Sequence, residues 1–178
     1  MTDEGLCFNF NGLSSHEIYT DAMASRMIKI GKSRNMSGWS LETGYTQKSD
    51  HVKYPSTGDV GQKNGLDLLL SGFESDFDFM CIQVQGASIR LSVPGEAYTD
   101  HHNEANIDIS ENYRLTIVPR YSDISEGLRR YKPEQRDCLL NSDRRLRFYK
   151  SYTKENCYDE CLANFMKNSC GCVPFWMP

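Results

Sequence analysis

The sequence predicts an α+β fold that is mainly antiparallel β and ends in a helix. Apolar and polar residues alternate over residues 81–93 and again over 107–118, as expected of half-buried strands. Residues 153–167 carry helix signals instead, with Thr153 suited to the N-cap and Gly171 following the end. A chain of 178 residues suits one domain or two small lobes.

Four shorter elements are predicted in the first 70 residues. Residues 5–10 alternate around Cys7 and are expected to form a short strand. Apolar residues recur at helical spacing over 15–30, and alternation over 39–45 predicts an edge strand. The turn pair and apolar run of NGLDLLL, at 64–70, predict a buried strand. The polar composition of residues 11–59 as a whole indicates a variable surface insertion.

Two features shape the strand predicted over residues 81–93. Gly86 is expected to form a bulge or bend, and Pro94-Gly95 a turn that ends the strand.

A basic stretch connects the strands to the closing helix. Residues 127–138 are interrupted by proline, and their positive charges are compatible with an anionic ligand. These charges are Arg129, Arg130, Lys132 and Arg136. Aromatic residues are nearly absent there, so we favour a solvated linker over a nucleic-acid surface.

Overall composition argues against several classes of protein. The net charge of -4 favours neither a nucleic-acid surface nor a polybasic membrane contact. No apolar run is long enough for a transmembrane helix, and the first ten residues do not resemble a signal peptide. Taken alone, these features indicate a soluble cytosolic protein.

The cysteines indicate a different compartment. Cys157 and Cys161 share one helical stripe, whereas Cys170 and Cys172 are too close in sequence to bridge each other easily. Seven cysteines, clustered in this way, are typical of an oxidised extracellular framework whose partners lie in a longer polypeptide. Two alternatives remain open: buried thiols in a cytosolic protein, or a zinc site formed by Cys157, Cys161, Cys170 and Cys172.

The remaining candidate site residues are polar. Glu74, Asp76 and Asp78 alternate with phenylalanines, which predicts either a solvated strand face or a carboxylate cluster that binds protons or cations. Asn35 begins an N-glycosylation sequon. The adjacent His101 and His102 are expected to be solvated, with pH sensing as the alternative. No catalytic, cofactor or metal motif is recognised, so the chain is not expected to be an enzyme.

Five blocks in a fixed order give the chain a family resemblance. It resembles the extracellular domain of the degenerin and epithelial sodium channel family, nearest to the pickpocket branch. The blocks are EGLCFNFN at 4–11, GQKNGLDLLL at 61–70, SVPGE at 92–96, LRRYKPEQRDC at 128–138 and YTKENCYDECLANFMKNSCGCVPFWMP at 152–178. Residues 11–59 and the loop near 101 match that family only in position.

The resemblance implies a division of the chain. Residues 1–142 would form part of the palm and β-ball, including the variable insertion, and residues 143–178 would begin the disulfide-rich thumb. Cys138, Cys157, Cys161, Cys170 and Cys172 would belong to the thumb disulfides, with partners after Pro178. The partner of Cys7 would precede Met1, and Cys81 has no counterpart. An isolated chain lacking these bridges is expected to be poorly stable.

The resemblance also implies a function for the parent protein. It would be a sodium-selective, amiloride-sensitive type of channel in the plasma membrane, a trimer of homologous subunits anchored by flanking membrane helices. These residues would be extracellular and would transmit a stimulus to the pore, with Glu74, Asp76 and Asp78 near the acids that sense protons in some members. The alternative is a secreted, cysteine-rich binding module without channel activity.

Overall fold

The computed structural model describes residues 7–24, 39–45, 65–72, 86–97, 104–108, 110–120 and 122–178. Five helices lie in these ranges: α1 (Ser15–Ile18), α2 (Asp21–Ala24), α3 (Glu126–Arg129), α4 (Pro133–Arg136) and α5 (Lys154–Cys170). Four strands form two antiparallel pairs: β1 (Trp39–Ser40) with β2 (Gly44–Tyr45), and β3 (Gly86–Arg90) with β4 (Glu104–Asp108). The predicted α+β class is confirmed in these parts of the chain.

The chain divides into two compact units. The first comprises Met1–Ser56, Ser92–Asp100 and Glu126–Pro178, and the second comprises Thr57–Leu91 and His101–Ser125. The hydrophobic core described here lies in the first unit. Its buried members are Leu13, Ile18, Tyr19, Met23, Ala97, Leu146 and Tyr149.

The predicted helix over 15–30 is interrupted at Tyr19 and Thr20. Tyr19 is extended and forms an isolated antiparallel bridge with Tyr149, and their ring centroids lie 5.3 Å apart. Lys150 N donates to Ile18 O at 2.8 Å, and Thr20 N donates to Phe148 O at 2.9 Å. Because these backbone groups bond to residues 148–150, α1 and α2 remain separate four-residue helices. Residues beyond 24 lie outside the described part of this prediction.

The predicted edge strand over 39–45 is a small hairpin. Gly44 has a φ of 63°, a conformation that suits glycine at a tight turn. Glu42, in the turn, accepts a hydrogen bond from Asn141 N at 2.9 Å and pairs with Arg129 at 3.5 Å. The hairpin is therefore attached to the segment that precedes α5.

Arg136 organises the segment that was predicted to be a solvated linker. Its side chain is only 2% exposed and donates to the carbonyls of Arg129, Tyr131 and Cys138 and to the Asp143 carboxylate. The segment is folded because one guanidinium satisfies four acceptors from the turns around it. The backbone N–H of Leu140 and then Arg136 hold the pKa of Asp143 below its usual value.

The second unit contains the regular pair β3 and β4. Gly86 lies opposite Asp108 in unbroken register, so the expected bulge at Gly86 is wrong. A Cβ at this glycine would lie 1.7 Å from the carbonyl oxygen of Ile107, which shows how closely the two backbones approach. At the other end of the pair, Glu104 accepts from Ser88 Oγ at 2.7 Å and Arg90 Nε at 3.3 Å.

Two predicted strands are wrong in the residues that the structure describes, because residues 7–10 and 65–70 contain no strand. The strand predicted over 107–118 is confirmed only at Ile107 and Asp108, since β4 ends at Asp108 and residues 110–120 contain no strand. Leu69 is 97% exposed and Val118 is 76% exposed, so neither apolar run is buried here. Alternation favours a strand only where a neighbouring strand bonds to its backbone. Within the described ranges, no strand pairs with residues 7–10, 65–70 or 110–120.

Candidate functional site at the start of the long helix

The long helix α5 begins and ends at clear caps. Thr153 is extended, and its hydroxyl accepts a hydrogen bond from Asn156 N at 3.1 Å. Gly171 has a φ of 77° and its N–H donates to Lys167 O, closing the last turn. The predicted N-cap is confirmed, whereas the helix continues to Cys170, three residues beyond the predicted end at Lys167. The continuation is favourable because the left-handed cap falls on glycine.

The face of α5 that packs against the rest of the first unit is largely polar. Asn156, Asp159 and Ala163 are buried and follow one another at helical spacing. The apolar side chains Tyr158 and Phe165 are both 66% exposed instead. This inverts the arrangement that burial of apolar surface favours, so hydrogen bonds are central to positioning the start of the helix.

Asn156 joins α5 to the turn after strand β3. The residue is 0% exposed, and its Oδ1 accepts from Ala97 N at 2.9 Å. Its Nδ2 donates to Gly95 O at 2.9 Å and to Ser151 O at 3.0 Å. One amide therefore connects residues 95–97, the chain entering the helix, and the helix itself.

One turn later, Asp159 accepts a hydrogen bond from the hydroxyl of Tyr149. Both residues are buried, and Tyr149 also packs against Tyr19. Burial, followed by the nearby Asp159 charge, raises the pKa of Tyr149 well above its usual range, so the phenol stays protonated and continues to donate.

Glu160 completes the junction. One carboxylate oxygen accepts from Arg147 N at 2.8 Å and from Phe148 N at 3.0 Å. The three polar residues Asn156, Asp159 and Glu160 thus attach the first two turns of α5 to residues 147–151 and to the 95–97 turn. We call this group of contacts the helix junction. A fully bonded network of this kind has few alternative arrangements, so the helix and these segments are expected to move together.

The predicted disulfide residues occupy contrasting environments. Cys157 is half-buried against the core, where burial and a hydrogen bond with Cys157 raise the pKa of Tyr152. Cys138 is also half-buried, while Cys7, Cys161, Cys170 and Cys172 are exposed. Among the described residues no disulfide links the five cysteines from Cys138 onward. Nor do the described ranges hold any group of three or more His, Cys, Asp or Glu residues suited to a metal, so the zinc alternative gains no support.

Several other predicted sites lie outside the described residues. These are Asn35, the acidic group Glu74, Asp76 and Asp78, the unassigned Cys81, and the pair His101 and His102. The sequence predicted the cap at Thr153 but not the roles of Asn156 and Tyr149. An asparagine three residues after an N-cap was the available signal, since a polar residue on an inward stripe requires a partner.

The chain belongs to the amiloride-sensitive sodium channel family, which it matches over residues 1–178. It is 27% identical over 192 aligned residues to Pickpocket protein 28 of Drosophila melanogaster, a match that covers all of this chain and 30% of that protein. Pickpocket protein 11 of the same species is 29% identical over 89 residues, covering 50% of this chain and 14% of the relative. Sodium channel protein Nach of Drosophila virilis is 24% identical over 119 residues, with 65% and 30% covered.

These matches confirm the predicted membership of the degenerin and epithelial sodium channel family, with pickpocket-like relatives. The chain spans less than a third of the length of these relatives. No solved structure matches it significantly. Within the residues that the structure describes, no helix combines the length and apolar character needed to cross a bilayer.

Proposed function

We propose that these residues form part of the extracellular domain of a sodium-selective, amiloride-sensitive channel subunit and transmit a stimulus toward its pore. The whole-length family match is the observation that carries this proposal. The channel would assemble as a trimer of homologous subunits in the plasma membrane, anchored by helices elsewhere in the subunit. Residues 1–142 would contribute to its palm and β-ball, and residues 143–178 to its thumb.

The exposed face of α5 supports this assignment. Tyr158 and Phe165 place aromatic surface in water, and Cys161 lies between them on the same side. Apolar surface next to an exposed thiol is typical of a face that another segment covers. The proposed occupant is the remainder of the thumb, which would supply disulfide partners for Cys161, Cys170 and Cys172. The relatives have ample additional length for such a segment.

The helix junction supports the proposed transmission. A displacement of α5 reaches residues 95–97 through Asn156 and residues 147–148 through Glu160. Hydrogen bonds at two successive turns prevent the helix start from rotating without moving both segments. The thumb would therefore act on the palm as a stiff lever.

The test uses the full-length protein in oocytes, expressed with a homologous subunit where required. We expect surface labelling of residues 154–172 on intact cells and a current that amiloride blocks and whose reversal potential follows the sodium gradient. Exclusively intracellular labelling, or a current indifferent to sodium replacement, would refute the channel assignment. Secretion of the full-length product into the medium would favour the binding-module alternative.

A matched pair of variants tests the transmission step. Asn156→Ala removes the central bond donor and acceptor of the helix junction, whereas Asn168→Ala changes an exposed asparagine on the last turn of the same helix. At equal surface abundance, we expect only Asn156→Ala to alter the response to stimulus. Equal responses from both variants would remove the helix junction from the gating pathway.

A further inference from the structure

A basic surface lies between the helix junction and solvent. Residues 144–150 read RRLRFYK, and the side chains of Arg144, Arg145, Arg147 and Lys150 are exposed. Leu146 and Tyr149, by contrast, are buried in the core of the first unit. We call residues 144–150 the basic segment. Its charges face water because its apolar residues are used for packing.

The backbone of the basic segment is bonded on two sides. The N–H groups of Arg147 and Phe148 donate to Glu160, as described above, while Arg147 O accepts from Thr20 Oγ1 at 2.7 Å. On the same side, Phe148 O accepts from Thr20 N and Lys150 N donates to Ile18 O. The guanidinium groups therefore extend from a fixed frame, which lowers the entropy cost of binding a ligand.

Two charges of this segment, Arg144 and Arg145, are not neutralised locally. Arg129 and Arg136, which the sequence offered as anion-binding candidates, are engaged by Glu42, Glu126 and Asp143. Arg144 and Arg145 form no ion pair with any acidic side chain in the described ranges. Residues 126–154 contain nine Lys or Arg and four Asp or Glu, a net charge of +5 in a chain whose total is -4. Positive charge is therefore concentrated around this segment.

Several exposed guanidinium groups close together in sequence suit a polyanion. Arginine binds sulfate and phosphate oxygens through paired hydrogen bonds, and short Lys- and Arg-rich segments are typical of heparin-binding patches. The Arg147 guanidinium carbon lies 5.1 Å from the Phe148 ring centroid, a cation–π contact that restrains this side chain.

Other polyanions fit the segment less well. Nucleic-acid surfaces add exposed aromatic rings for stacking, but Tyr149 is buried. Anionic lipids are concentrated in the cytoplasmic leaflet, whereas the proposed function places these residues outside the cell. We propose that the basic segment binds a sulfated polysaccharide at the cell surface. The choice of ligand, though not the existence of the anion site, rests on the proposed function.

The test measures binding of purified full-length protein in detergent to immobilised heparin. The site variant combines Arg144→Gln, Arg145→Gln and Arg147→Gln, and the control combines Arg114→Gln, Arg120→Gln and Lys167→Gln, which lie outside residues 126–154. Both sets remove three exposed positive charges. Loss of three charge-assisted contacts is expected to weaken binding on the order of tenfold or more in the site variant alone. Binding should also fall steeply with salt and be lost with desulfated heparin.

A second variant guards against misfolding. Arg144→Gln with Arg145→Gln leaves the Phe148 contact intact and should still weaken heparin binding severalfold at an unchanged melting temperature. Equal losses in the site and control variants, or stronger binding to phosphatidylserine vesicles or single-stranded DNA than to heparin, would overturn the proposal. The heparin assay does not depend on channel current, so the two proposals can fail separately. A protein that binds heparin but carries no sodium current would refute only the channel function. A protein that carries the current but does not bind heparin would refute only this inference.

Discussion

Removing the Asn156 side chain should open the attachment between α5 and the 95–97 turn. Asn156→Ala deletes three hydrogen bonds of a buried side chain, to Ala97 N, Gly95 O and Ser151 O. At a net contribution of about 1 kcal/mol per bond, the cost is about 3 kcal/mol. That free energy corresponds to roughly a hundredfold increase in the population of the locally open state.

Amide hydrogen exchange on the full-length protein measures this opening directly. We expect the peptide containing residues 92–97 to exchange faster in Asn156→Ala, with the Ala97 amide changing most because it loses its acceptor. Asn156→Asp should also speed exchange at residues 92–97. A carboxylate would face the carbonyl oxygens of Gly95 and Ser151 in place of the amide donor. This variant separates loss of hydrogen bonding from loss of volume.

The control is again Asn168→Ala. This residue is exposed, and alanine favours a helix more than asparagine does, so exchange at residues 92–97 should remain at the wild-type rate. If residues 92–97 exchange at the same rate in Asn156→Ala and Asn168→Ala, the Asn156 side chain does not attach the helix to these residues. The proposed role of the helix junction would then be wrong.

Three further perturbations address the neighbouring contacts in the full-length protein. Thr153→Ala should cost about 1 kcal/mol and lower the melting temperature by a few degrees, while Thr153→Ser should not, because only alanine removes the cap. Tyr149→Phe leaves the buried Asp159 without one donor and should cost roughly 2 kcal/mol, whereas Tyr158→Phe, at an exposed site, should be neutral by the same measurement. The hydrogen bonds that lower the pKa of Asp143 stabilise the folded state fully above the unfolded pKa of 3.8, and this stabilisation is lost as the pH falls through the folded pKa. Asp143→Asn should therefore flatten the acid side of a plot of melting temperature against pH. An unchanged slope there would contradict this.

The helix α5 could be predicted because its signals are local. Thr153 caps the N-terminus and Gly171 the C-terminus through bonds that span only a few residues. The same holds for the turn at Pro94-Gly95, where Glu96 N donates to Val93 O. The family could also be recognised, because the five blocks that carry the resemblance, and their order, are read directly from the linear sequence.

The strands were less predictable for a physical reason. Alternation occurs in both β4 and residues 110–120, yet only β4 has a neighbouring strand within the described ranges. Residues 11–24 show the opposite error, since the polar composition of residues 11–59 indicated a surface insertion, whereas Leu13, Ile18 and Met23 enter the core. Pairing and burial depend on residues distant in the chain, and periodicity carries no record of them.

The family, the α+β class and the caps of α5 can be read from the sequence, since each depends on residue identity or on contacts within a few positions. The bonds between Asn156 and residues 95–97, the engagement of Arg136 and the exposure of Arg144 and Arg145 emerge only when the chain is folded. These outcomes depend on which polar groups meet when the core closes. A buried donor or acceptor must find a partner wherever the fold supplies one, and that choice is made in three dimensions.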